Sequence, residues 1–327
     1  MKKKLLAVTL TLSMISVPFS VYAEDASVDA NTLLEQMAEF EKNTDSMSGK
    51  MTMNLDGALN MTSGEDDEAL SLTLNGDYDV KMINQPVKMA ITGDMDMSFL
   101  GEAAKMNMET YLTLNEDGST ADTYTNVTAN GDASGWIHSQ TDLAEMLGQF
   151  GVSTFEELRG MSFNQLLGDD VQLDWTVTET GDNYELSASL NFSDFMPIIQ
   201  AALEATGEEI DEATLGIVST VLDSFKMNLS YTMDKETSAP IAVHMDMNDT
   251  DLSTINALVG MFLGSMVGAG DDSASVNAEV VLNDFSVDAT YSFNDVSEIT
   301  IPEEALSAEV IDMQDLVAQA QDGAASN

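Results

Sequence analysis

The sequence predicts an α+β protein built on a single large curved antiparallel sheet of about eleven strands, an incomplete barrel wrapped around several inserted helices. Apolar residues recur at every second position over long stretches, as in Met51-x-Met53-x-Leu55, Leu72-x-Leu74, Met95-x-Met97-x-Phe99, Met106-x-Met108 and Met245-x-Met247. Period two is the mark of a strand with one wet and one dry face. Short turn-rich pieces such as Ser63-Gly64-Glu65-Asp66-Asp67 and Asn115-Glu116-Asp117-Gly118 separate these stretches, so neighbours in sequence pair antiparallel. Helical patterns interrupt the strands on both sides of the middle, and no linker rich in proline, glycine or serine divides the chain. Cutting it would leave half-sheets without partners, so one domain over residues 24–311 is expected.

The first 23 residues read as a secretory signal peptide: Lys2, Lys3 and Lys4, an apolar run from Leu5 to Val17, Pro18, and Val21-Tyr22-Ala23 as a small-x-small cleavage site. The run is shorter than the roughly 20 residues a bilayer requires, so no stable membrane anchor is expected after cleavage. With no cysteine in the chain there is no lipid-modified cysteine, disulfide or thiolate metal site. The expectation is a secreted protein.

A first helix is predicted over 29–42, where Leu33, Leu34, Met37 and Phe40 form a stripe and Thr32 with Glu35 offer a capping box. Strands follow at about 48–61, 68–83, 86–99, 103–115 and 120–130, with a short one at Trp136. Helices over 142–150 and 153–167 precede a hairpin of 171–177 with 184–192. Further helices fall near 194–205 and 211–224, then a hairpin pairs 225–233 with 241–247. An almost wholly apolar helix spans 252–268, and strands 276–282 and 285–293 close the set. Residues 312–327 read as a frayed or flexible tail.

Removing the leader takes three of the eleven basic residues and none of the 57 acids, which leaves eight bases and a net charge of −49. Such a chain repels nucleic acid and anionic lipid headgroups. Its only histidines, His138 and His244, stand in strand patterns without a nucleophile motif or metal-ligand spacing, so no catalytic residue, zinc site or cofactor is expected. Asp246-x-Asn248-Asp249-x-Asp251 begins like a calcium loop. It lacks glycine at the sixth position and has Ala257 where a bidentate glutamate belongs, so Asp249 or Asp251 is read as capping the next helix.

The closing stretch Tyr291-Ser292-Phe293-Asn294-Asp295-Val296 leads to Ile299-Thr300-Ile301-Pro302-Glu303-Glu304. With the element order and with Tyr124 and Trp136, it resembles the LolA/LppX-like lipoprotein-carrier superfamily, in particular its secreted Gram-positive branch. The resemblance implies an incomplete barrel whose concave face, lidded by helices, binds lipid acyl chains or other apolar molecules. Many of those proteins carry a lipid-anchored cysteine after the signal, where this chain has Ala23-Glu24-Asp25.

Methionine on a strand face fills irregular space and repacks at little cost, where valine or isoleucine would be the better strand former. The predicted ligand-lining residues are therefore Met51, Met53, Leu55, Leu72, Leu74, Met95, Met97, Met106, Met108, Met227, Met233, Met245 and Met247. Leu258, Met261, Phe262 and Met266 are predicted to form a lid helix, against the alternative that this helix packs in the core. The expected function is a non-enzymatic carrier of an apolar ligand or lipid. The alternative is an extracellular interaction protein with a packed core and an acidic partner-binding surface.

Overall fold

The computed structural model describes residues 29–63, 66–115, 118–143, 147, 153–154, 173–196, 212–267 and 276–311. The predicted leader, the tail over 312–327 and most of the helices expected over 142–150, 153–167 and 194–205 lie outside them.

Eleven strands form one antiparallel sheet: β1 (Ser46–Ser63), β2 (Asp66–Asn84), β3 (Val87–Phe99), β4 (Glu102–Leu114), β5 (Thr120–Ala129), β6 (Asp132–Asp142), β7 (Thr176–Thr180), β8 (Asn183–Asn191), β9 (Lys226–Asp234), β10 (Pro240–Asp246) and β11 (Val276–Phe293). Their order is β6-β5-β4-β3-β2-β1-β11-β10-β9-β8-β7. The chain meanders outward from β1 to one edge, resumes at the other and returns to close β11 against β1. Strands β6 and β7 are both edges, so the sheet is large and antiparallel but not closed into a barrel. The helices among the described residues are α1 (Ala30–Lys42), α2 (Glu212–Leu222), α3 (Ser253–Val267) and α4 (Glu303–Leu306), with a 3-10 turn over Phe192–Phe195.

The predicted wrapping around helices is only partial. Helix α1 lies along the apolar face, where Leu33, Leu34 and Met37 pack on Leu186, Leu229, Tyr231 and Met233, and the helical Leu143 and Leu147 bury against Ala121, Leu112 and Leu114 of the same face. It begins at Ala30 after Asp29, so Thr32 and Glu35 lie inside it instead of bracketing its start. Helix α3 lies beside the sheet. Strand β10 pairs only with 286–290, which leaves the earlier half of β11 without a strand neighbour on that side. There the Asn256 side-chain amide donates to the Val280 carbonyl at 3.1 Å and its oxygen accepts the Val280 N–H at 2.6 Å. One asparagine thus takes the place of a missing strand at that residue.

The runs 276–282 and 285–293, expected as two strands, are one. The apolar parity changes between them, from Ala278, Val280 and Leu282 to Phe285, Val287, Ala289 and Tyr291. A bulge absorbs the change: Asp56 opposes Asp284, Gly57 opposes Leu282, and Asn283 is the extra residue. Both runs therefore face the same side.

Residues 294–311 form a strap over the opposite, outer face. The Asn294 N–H donates to the Ser46 carbonyl and its side-chain oxygen accepts the Asp45 N–H. The Lys88 ammonium donates to the Ile299 carbonyl at 3.5 Å. Ile299 and Ala305 are buried, α4 packs on β5 and β6, and Ile311 N–H donates to the His138 carbonyl at 2.7 Å, beside a parallel bridge from Val310 to His138. Beneath this end Tyr124 stacks on His138 at 4.3 Å and Asp122 accepts from the ring at 2.8 Å.

Candidate functional site

Cross-strand register decides which predicted residues share a face, because directly opposed residues point the same way. One row reads Met106, Met95, Gly76, Met53, Val287, Met245, Leu229 and Ala188 across eight strands. The next row reads Ala104, Met97, Leu74, Leu55 and Phe285, and beyond it lie Phe99, Leu72, Gly57 and Leu282. Met51, Met108, Met227 and Met233 belong to the same face through Ala289, Gly93, Leu190 and Tyr184. Met247 falls one residue past β10, where its N–H donates to the Phe285 carbonyl. Twelve of the thirteen residues therefore stand on one face of the sheet, and the thirteenth adjoins it.

That face divides into a closed half and a half-open one. Met51, Met53, Met106, Met108 and Met233 are buried; Met51 is 2% exposed and its neighbour Ile91 1%. Met51, Met53 and Met108 belong to a packed cluster with Tyr78, Val80 and Val287, and Met233 to the one under the α1 stripe. Leu55, Leu72, Leu74, Met95, Met97, Met227, Met245 and Met247 are half-buried. These lie toward the end where the β3–β4 hairpin turns and where α2 and α3 sit. The same end carries the exposed Phe99 and Leu100, with Ile217 on α2 and Met261 on α3, the last 67% exposed. Leu258 is half-buried, and the side chains of Phe262 and Met266 lie outside the described residues.

Sequence reasoning missed Tyr78, which shapes the boundary between the halves. Its ring lies flat on the face, 4% exposed, across its own-strand neighbour Gly76 and its cross-strand partner Gly93. A Cβ at Gly76 would stand 2.6 Å from the ring, and one at Gly93 would meet both the ring and the Asp77 carbonyl oxygen. The two glycines were the legible signal, since glycine inside a strand marks close approach. Burial, then the Asp77 charge, raises the Tyr78 hydroxyl above its ordinary pKa, so it stays neutral.

A buried polar group sits at the other end. Glu41 of α1 lies beside Tyr231 and Tyr291, whose hydroxyls are pushed up chiefly by burial; the neighbouring tyrosine adds to the shift at Tyr231, and Glu41 at both. On the outer face His244 Nδ1 lies 2.7 Å from Asp288 and Nε2 3.2 Å from Asp246. Partial burial pulls its pKa down, but the hydrogen bonds and charges of Asp288 and Asp246 outweigh this and the net shift is upward. The folded state therefore gains stability that is complete below His244's unfolded pKa, near 6.5, and fades as pH rises through the folded pKa. An NMR titration should place its midpoint above about 6.5, and Asp288→Asn should lower it; a midpoint unmoved by that substitution would refute the assignment.

Among the described residues no three His, Asp or Glu side chains converge as a metal site would need, and no helix is long and apolar enough to cross a membrane. Asp251 accepts the Ser253 N–H at 2.9 Å at the start of α3, which is the capping role expected of it or of Asp249.

A family profile matches residues 29–254, from the start of α1 to the first residues of α3, and its description is a family of unknown function, DUF6612. The chain belongs to the DUF6612 family. The half-open rows on β1–β4 and β9–β10 fall inside the matched DUF6612 region, whereas β11 and the strap follow it. No curated protein matches the chain. Among solved structures it is similar to a beta-barrel-like protein of the domain of unknown function DUF1849 from Brucella abortus. The identity is 8%, over 76% of this chain and 99% of that one, with a TM-score of 0.25, too loose a likeness to carry anything across.

Proposed function

We propose that this DUF6612 protein is an exported, non-enzymatic carrier that holds an apolar ligand, a lipid or lipid-like molecule, on the half-open part of its methionine-bearing face. The observation that supports this is the row Met97, Leu74, Leu55 and Phe285, half-buried side by side on four neighbouring strands with no ionisable side chain among them. Hydrocarbon laid there leaves water at roughly 25 cal/mol per Å². Methionines adapt to its shape without a fixed pocket. The flanking Met95, Met245 and Met247 extend the same surface, and α3 at its margin is the proposed lid. No covalent step is involved.

The test is native mass spectrometry of protein purified from its host, with lipid extraction, beside titration with a fluorescent fatty acid. Bound lipid is expected, and Met97→Glu should weaken probe binding about tenfold, the factor that 1.4 kcal/mol represents. Repeated recovery of empty protein that also refuses the probe would sink the reading. The buried Met51, Ile91 and Met233 favour the second reading, a packed interaction protein with an acidic partner surface. In that case envelope extracts would yield a protein partner released by high salt.

A further inference from the structure

A cleft of about 150 Å³ lies on the outer face, between the sheet and the strap, lined by Asp79, Lys81, Ala90, Thr92, Tyr111, Glu298, Ile299 and Thr300. Its volume equals about five waters' share of the liquid. Ala90 and Ile299 are buried and form an apolar floor. The walls carry one ammonium, two carboxylates and three hydroxyls, and none of these six side chains makes a hydrogen bond or ion pair with another described residue. Asp79 and Lys81 are two apart on β2, so both project from the same face about 7 Å apart. Lys50 stands directly opposite Asp79 on β1, on the same face of the sheet.

Acids outnumber bases 57 to 11, and Lys81 brings an ammonium into the cleft beside Asp79 without forming an ion pair with a described residue. An anion approaching such a protein is repelled at long range, and a cation finds carboxylates over the whole surface. A molecule with both charges and no net charge escapes the repulsion and uses both walls. We infer that the cleft beneath the strap binds a small zwitterion, an α-amino acid with a short side chain. Its carboxylate meets Lys81, its ammonium lies between Asp79 and Glu298, and its side chain rests on Ala90 and Ile299. Charge-assisted hydrogen bonds of this kind are the strong ones, and the hydroxyls of Thr92, Tyr111 and Thr300 fill the remaining positions. The site is separate from the apolar face, since Ala90 and Lys81 alternate with the inward-facing Ile91 and Val80.

Saturation-transfer NMR with the mature chain and L-alanine, N-acetyl-L-alanine and L-alaninamide tests the inference. L-Alanine is expected to bind while both singly charged analogues bind at least about tenfold more weakly, since each lacks one ionic contact. Lys81→Met and Glu298→Gln should each weaken alanine by a similar factor and leave thermal unfolding unchanged, because both residues are exposed. Absence of binding at about 10 mM, far above the 1 mM scale of weak sites, overturns the proposal. So does equal binding of either analogue, or of alanine to both variants.

Discussion

Gly93→Ala is expected to lower stability by about 1–3 kcal/mol, the usual cost of forcing extra volume into a packed face. The new methyl would overlap the Asp77 carbonyl oxygen, a backbone atom held in the β2–β3 ladder, and the Tyr78 ring. Neither can retreat cheaply. Gly76→Ala makes a sharper companion, because the three atoms nearest its Cβ all belong to the Tyr78 side chain, the closest at 2.6 Å. The Tyr78→Ala background should therefore erase most of the cost at Gly76 while much of the cost at Gly93 remains. Urea unfolding reads this as shifts in midpoint at constant slope. If Gly93→Ala stayed within about 0.5 kcal/mol of the parent, as a neutral surface change does, the flat-ring geometry would be wrong.

Leu34→Ala should cost about 2–5 kcal/mol, the range for a leucine removed from a sealed core. Leu34 is fully buried between α1 and the side chains of Leu186, Leu229, Tyr231 and Met233, so its loss leaves a cavity under this helix. At roughly 2–4 °C per kcal/mol for a chain of this size, thermal unfolding should fall by about 4–20 °C. Lys42→Ala at the exposed end of the same helix should change little. Comparable effects from the two substitutions would mean that α1 is not anchored through its stripe.

The strands were legible because alternation is a direct image of a half-buried sheet, and the register brought the methionines of distant segments onto one face. Three features were not. The bulge at Asn283 shows in sequence only as a change of parity, which reads equally as the end of one strand and the start of another. The strap has no periodicity, since it is held by single contacts from Asn294, Lys88 and Ile311 to residues far away in sequence. Helix α3 is apolar almost all round, which fits a core helix or a lid, and only Asn256 tells that it guards a strand edge. Burial likewise escaped the pattern: Met51 and Met97 occupy equivalent alternating positions, yet one is sealed and the other half-open, because closure depends on what lies above the sheet.

The two outermost strands bear on the behaviour of concentrated solutions. An open sheet of eleven strands offers two rows of hydrogen-bonding groups from which end-to-end polymers could grow. Here one terminus of the row is β7, five residues long, three of them threonine, with Glu179 tied to Lys235. At the other, the chain's own Val310 and Ile311 occupy the place a neighbour would take at His138, near the middle of β6. Fibre growth is thus opposed by shortness on one flank and, on the other, by a contact of the chain with itself that interrupts the edge at His138.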